Sequence, residues 1–359
     1  MSDAKEHAAQ YSSESALFAP GATPSPAPSS APLPQPPPPL DSASLAYENT
    51  VFLNSADGRL IRIVAEYSEP LARFRREHIQ DTVVFFGSAR FRGREEAGRA
   101  LELLQNTGST APAPSSEQPA SIPQIAEGTA TELQRKRAIA AVEMARYYED
   151  ARRLAHLLTT WSLTIPSLQH RFVVTSGGGP GIMEAANRGA YEAGGKTIGL
   201  NIRLPFEQSP NPYITPALNF EFHYFFMRKL WFAYLAKALV VFPGGFGTID
   251  EMFEILTLAQ THKLAKKITV ILYGSDYWNQ IINLSALADK GAISPDDLKL
   301  FQFADTPEAA FELLKEGLTA NHLVQEAADQ KAHPPDSRQL MTNWTLDEFL
   351  SPEIAKTRK

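Results

Sequence analysis

The chain contains no cysteine, which excludes disulfide bridges and thiolate metal sites and removes any sign of an oxidising compartment. It lacks a surplus of positive charge. At a net charge of −6 it offers no bulk attraction to nucleic acid or to an anionic membrane. It also lacks an apolar run of about 20 residues, the length that spans a bilayer. The longest stretch, LWFAYLAKALVVF, is shorter and carries Lys237. The opening residues, MSDAKEHAAQYSS, have no basic-then-apolar pattern of a secretory signal, so the expectation is a cytoplasmic protein that binds neither nucleic acid nor membrane. Its 8 histidines are scattered without ligand spacing, so no metal is expected.

Proline and aromatic bulk are what the sequence does have. Many of the 27 prolines fall in APGATPSPAPSSAPLPQPPPPL, where missing amide donors and small side chains leave nothing to bury, so residues 1–45 read as a disordered tail. A second such stretch, NTGSTAPAPSSEQPASIPQ, reads as a flexible insertion at 106–130. The 20 Phe, 11 Tyr and 4 Trp of a 359-residue chain supply a sizeable core for one domain at 46–320, followed by a C-terminal extension at 321–359.

Within that domain, apolar runs alternate with helical patterns. TVVFFG, FVVTSGGG, KTIGLNI, ALVVF and KITVILYG read as strands, apolar throughout. Helical patterns lie between them at RGREEAGRALELLQ, at 131–161, and at GIMEAANRGAYEAG, HYFFMRKLWFAYLAKA and TIDEMFEILTLAQTHK. Strands of this kind predict an α/β, Rossmann-like, doubly wound parallel sheet with helices on both faces, and ligands bind beyond the carboxyl ends of such strands.

Two segments echo one another. VVTSGGGPGIME and LVVFPGGFGTIDE each run from an apolar strand through a Gly-Gly-x-Gly turn into a helix with an early acid. Gly178, Gly179 and Gly181 match Gly244, Gly245 and Gly247. Two such turns would place two helix N-termini near one crevice, a cradle for phosphate. No Lys-Ser or Lys-Thr follows either turn, and neither is G-x-G-x-x-G, so ATP hydrolysis and dinucleotide redox chemistry are disfavoured. The aromatic helix at 223–238 carries Arg228 and Lys229, and Arg228 has Tyr224, Phe225, Trp231 and Phe232 as helical neighbours. A cation there needs a carboxylate, a phosphate or an aromatic face.

Here the chain resembles a known family. PGGFGTIDE is similar to the P-G-G-x-G-T-x-x-E signature of the LONELY GUY family, phosphoribohydrolases that activate cytokinins and were long labelled lysine decarboxylases; GGGPGIMEAANRGA and MRK resemble its other two blocks, most closely in the longer bacterial members. Met227 directly precedes Arg228, where members often carry Met-His-x-Arg-Lys, and Glu207 is a guess for an upstream acid. The resemblance implies cleavage of a nucleoside 5′-monophosphate, AMP or a cytokinin riboside monophosphate, into base and ribose 5-phosphate without a cofactor. It places the catalytic arginine at Arg228 and the catalytic glutamate at Glu251. Physical chemistry gives that acid a task, because breaking an N-glycosidic bond builds positive charge on the ribose.

Thr248 and the amides of Gly245 and Gly247 would then hold phosphate, with Lys229, Asp250, Ser88, Glu184 and Asn187 as further substrate contacts. Asp250 and Glu254 also read as acids complementing the helix dipole, and Glu184 and Asn187 as capping or surface polarity. Surplus apolar surface on the helices at 131–161 and 223–237 predicts a homodimer or larger homo-oligomer. Two other readings stay open: a nucleotide-binding sensor or carrier without turnover, and a pyridoxal phosphate decarboxylase needing a Schiff-base lysine.

Overall fold

The computed structural model describes residues 42–106, 127–205, 209–264 and 266–324. Most of the expected tail and C-terminal extension, the central part of the expected insertion, and Glu207 lie outside the described residues. The chain divides into two units, Met1–Asn49 and Thr50–Lys359, and the second carries the sheet.

Seven strands build that sheet: β1 Thr82–Phe86, β2 Val173–Ser176, β3 Thr197–Ile202, β4 Asn219–Phe222, β5 Ala236–Val241, β6 Thr269–Tyr273 and β7 Gln302–Ala304. All pair in parallel, in the order β4-β3-β2-β1-β5-β6-β7. The helices are α1 Thr50–Asn54, α2 Arg59–Arg76, α3 Arg94–Asn106, α4 Glu127–Ser162, α5 Ile182–Glu192, α6 Phe225–Tyr234, α7 Phe246–Gln260, α8 Ser275–Ile281, α9 Leu284–Asp289 and α10 Pro307–Leu318.

Central strands are apolar on both faces because both faces are covered. Val84 and Phe86 of β1 join the core formed with α2, α6 and α7, while Val83 and Phe85 join the core formed with α4, α5 and α10. Where β1 and β2 begin, Asp81 and Arg171 pair at 2.8 Å, both buried, and the Phe172 amide donates to the same carboxylate. Among the described residues no helix is long and apolar enough to cross a membrane.

The doubly wound reading holds, with two corrections. Helix α6 is shorter than the aromatic run suggests: Leu235 is its C-cap, and Ala236 onward is already β5. It is not buried all round either, since Phe225, Phe226 and Leu230 are exposed, and an unbroken run of large apolar residues hides which face is which. Strand β4, unanticipated, lies in the proline-spaced connection, where Phe220 and Phe222 face the core and Asn219 and Glu221 face out.

Winding runs outward from β1 to β4 on one side and from β5 to β7 on the other. The switch point lies between β1 and β5, and the crevice for a ligand opens beyond their carboxyl ends.

Candidate active site

That crevice holds a cavity of about 720 Å³. One wall is the loop after β1, including Ser88; another is the turn after β5 with the first two turns of α7, from Gly244 to Glu251; Arg228 of α6, Met183 of α5 and Tyr277 of α8 complete it. Three hydrogen bonds fix these loops. The Ser88 amide donates to the Pro243 carbonyl at 3.0 Å, the Ile182 amide donates to the Ser88 carbonyl at 3.1 Å, and the Tyr277 hydroxyl donates to the Gly244 carbonyl at 2.9 Å.

The second glycine turn delivers an open helix end. Helix α7 starts at Phe246, its N-cap Gly245 is extended, and among the described residues no side chain caps it. The first-turn amides of Phe246, Gly247 and Thr248 therefore have no partner within the helix. The amide of the N-cap Gly245 adjoins these three. Phe246 itself, 92% exposed, stands at the rim. Thr248 folds back so closely that a Cβ on Gly244 would fall 2.2 Å from its hydroxyl.

Helical spacing sorts the acids of α7. Thr248 and Glu251 are three residues apart, hence on one face, and both are buried against the cavity. Asp250 and Glu254 share a different face, and each meets Lys229 at 2.7 Å. Those two contacts hold the Lys229 ammonium above the usual lysine range, although burial works against it. Lys229 is thereby a strut between α6 and α7 and does not line the cavity.

Glu251 is 8% exposed and, among the described residues, makes no hydrogen bond and no ion pair. Burial pushes its carboxyl up to about 7, against the opposing pull of Lys229 and Arg228. Arg228 donates from Nε to the Leu200 carbonyl at 2.7 Å and stacks over Phe232 at 5.1 Å. Among the described residues its terminal nitrogens have no acceptor. Burial lowers its pKa and the field of Glu251 raises it, without an ion pair between them.

The first glycine turn plays a different part. Gly178 and Gly181 adopt φ of +76° and +73°, and a Cβ on Gly181 would run into the Ser88 carbonyl at 2.4 Å. Gly178 and Gly179 present their carbonyls to Asn211, and with Gly181 they do not line the cavity. Because Ile182 already gives its amide to Ser88, this helix end is partly closed, and the two glycine turns are not equivalent. Gly177 packs instead against Arg228, where a Cβ would fall 2.5 Å from Nη2.

Neither Asn187 nor Glu184 lines this cavity. Asn187 is fully buried and bridges Ser176, the Ile198 carbonyl and Asn211, tying β2 to β3. Glu184 accepts from the Tyr148 hydroxyl at 2.9 Å and faces a separate polar recess beside α3 and α4. Gly177, Tyr277 and Met183 were not anticipated; only the extra glycine in Gly-Gly-Gly hinted at the first.

The fold and this cavity define a Rossmann-like α/β protein with a buried carboxylate beside an open helix N-terminus. Residues 183–314 match the family model described as possible lysine decarboxylase. The chain is 26% identical over 155 residues, 40% of its length and 68% of the relative's, to the probable cytokinin riboside 5′-monophosphate phosphoribohydrolase LOGL3 of Oryza sativa subsp. japonica. It is 22% identical, over 47% of its length and 76% of the relative's, to the cytokinin riboside 5′-monophosphate phosphoribohydrolase LOG2 of Arabidopsis thaliana. Over part of its length, then, the chain is similar to phosphoribohydrolases of the LONELY GUY type. Among solved structures, the molybdenum cofactor binding protein of Rippkaea orientalis aligns at 21% identity over 47% of this chain and 86% of that one, with a TM-score of 0.34, a likeness too slight to bear on ligand or activity.

Proposed function

We propose that this protein hydrolyses the N-glycosidic bond of a purine nucleoside 5′-monophosphate, of adenine or a cytokinin-type base, to free base and ribose 5-phosphate. The observation that supports this reading is Glu251, a carboxyl that, among the described residues, has no partner and lies in a cavity wall beside open helix-end amides. The phosphate sits on the amides of Phe246, Gly247 and Thr248, where the helix dipole favours it. One turn further along, Glu251 reaches the other end of the ribose. As a carboxylate it offsets the positive charge growing at C1′ and takes a proton from the attacking water. Water oxygen bonds to C1′ while the C1′–N bond breaks, its electron pair leaving with the base, which gains a proton from solvent. Arg228, with free nitrogens, holds ribose hydroxyls and tempers repulsion between acid and phosphate.

Incubation with AMP and with isopentenyladenosine monophosphate, followed by chromatography, tests the reading. Free base and ribose 5-phosphate in equal amounts are expected, and intact nucleotide with saturable binding would identify a carrier or sensor instead. Because Glu251 must be ionised, kcat/KM should climb as pH rises through about 7.

Two neighbours supply smaller tests. Tyr277→Phe frees the Gly244 carbonyl, and the cost of about 1 kcal/mol appears as a KM roughly fivefold higher with kcat little changed. Gly177→Ala meets only the flexible ends of Arg228 and Met183, so the fold is kept while the guanidinium is displaced. A misplacement of about 1 Å lowers kcat/KM by about 100-fold; an unchanged rate would show that Arg228 does not need that seat. The exposed Phe225, Phe226 and Leu230 of α6 favour a homo-oligomer, which light scattering on the eluted protein would read as a multiple of the chain mass.

A further inference from the structure

A second cavity, of about 700 Å³, opens at the opposite edge of the sheet, where β6 and β7 begin. Its charged lining is lopsided, with Lys266, Lys267 and Lys299 against the carboxylate of Glu316. Lys299 already meets Asp296 at 2.7 Å in an exposed pair. The side chain of Lys267 is exposed and, among the described residues, has no acidic partner.

Lys266 is the more telling of the two. It is part-buried and gives one hydrogen bond, at 2.6 Å, to the Tyr234 carbonyl at the end of α6. Among the described residues its other two N–H groups have no acceptor. Asp81, the acid whose charge it feels, is already held by Arg171, while Lys237 adds a like charge. Burial, with Lys237, pulls the amine down to about 7. His322, nearby and buried, keeps Nε2 without a partner. Compensation of a helix C-terminus accounts for the bond to Tyr234. It does not account for the spare donors of Lys266 or for a second lysine at the same opening.

We propose that this cavity is a second anion site, which takes the phosphate group of a small phosphorylated molecule through Lys266 and Lys267. A dianion would supply the missing acceptors and counter-charge, and a cavity of this size admits a sugar phosphate or a nucleotide. The inference does not rest on the hydrolase reading, since α7 separates the two cavities, with Glu251 at one end and Ala259 at the other.

Calorimetric titration of the full chain with inorganic phosphate and, separately, with ribose 5-phosphate tests it. Two classes of site are expected. Lys266→Met should weaken one class by about tenfold or more while leaving the other, and any nucleotide cleavage, unchanged. Lys267→Ala, at an exposed position, should weaken the same class severalfold. Thr248→Val should affect the other class alone. Tighter binding of ribose 5-phosphate than of phosphate at the Lys266 class would assign it to an organic phosphate, and equal binding to phosphate itself. A single class that both lysine variants weaken upholds the proposal whatever happens at α7; no binding, or only sites indifferent to both lysine variants, overturns it.

Discussion

Glu251→Gln is expected to lower kcat/KM for nucleotide cleavage by about a thousandfold, because an amide neither stabilises an oxocarbenium-like state nor accepts the proton of water. The substitution keeps size and shape, and the phosphate donors on the first turn of α7 are untouched, so affinity for nucleotide should stay within a few-fold. Retained turnover would remove Glu251 from the chemistry. The same variant carries a stability signature of opposite sign. In the folded chain the carboxyl is raised from 4.5 to about 7, so its contribution is fully present below about pH 4.5 and is lost as pH rises through 7. Gln does not titrate. Glu251→Gln should therefore match the parent near pH 4 and exceed it by up to about 3 kcal/mol near pH 8, read from urea unfolding at the two pH values. A carboxylate that costs stability at working pH is what a site retained for chemistry would carry. Equal stability at both pH values would place that carboxyl in contact with solvent and sink the assigned geometry.

Arg228→Met should have the next largest effect, a loss of about 100- to 1,000-fold in kcat/KM. Methionine fills much of the same volume beside Phe232 and Met183 and, among the described residues, the lost cation had no carboxylate partner, so the far-UV spectrum should be unchanged and stability should fall only by the lost bond to the Leu200 carbonyl, about 1 kcal/mol. A second readout separates a direct role from misfolding. The field of Arg228 holds down the Glu251 carboxyl, so its removal should move the ascending limb of the pH profile of residual activity to higher pH. A limb that stays in place would mean that Arg228 and Glu251 do not face the same substrate.

Strand and helix identity was legible wherever the apolar pattern was strong. β1, β2, β3, β5 and β6 each contain a short apolar stretch and are almost wholly buried, and a segment buried on both faces reads the same in sequence as in space. β4 is a four-residue edge strand in a proline-rich connection, too short to announce itself. Helix α2 carries Pro70 in its interior, which argues against a helix until its burial against α6 is known.

The sequence by itself determined the parallel α/β class, the open helix start at PGGFGT and the spacing that puts Thr248 and Glu251 on one face, because each follows from local geometry over a few residues. Tertiary structure alone decided which glycine turn lines the cavity, since that depends on β1 lying between β2 and β5 and on the Ser88 carbonyl accepting from one helix end. It also decided which charges are free. Lys229, Asp250 and Glu254 neutralise one another across two helices, whereas Glu251 and the terminal nitrogens of Arg228 are left to the cavity. Partnership between charges is a property of distances across the fold, and a linear chain does not contain those distances.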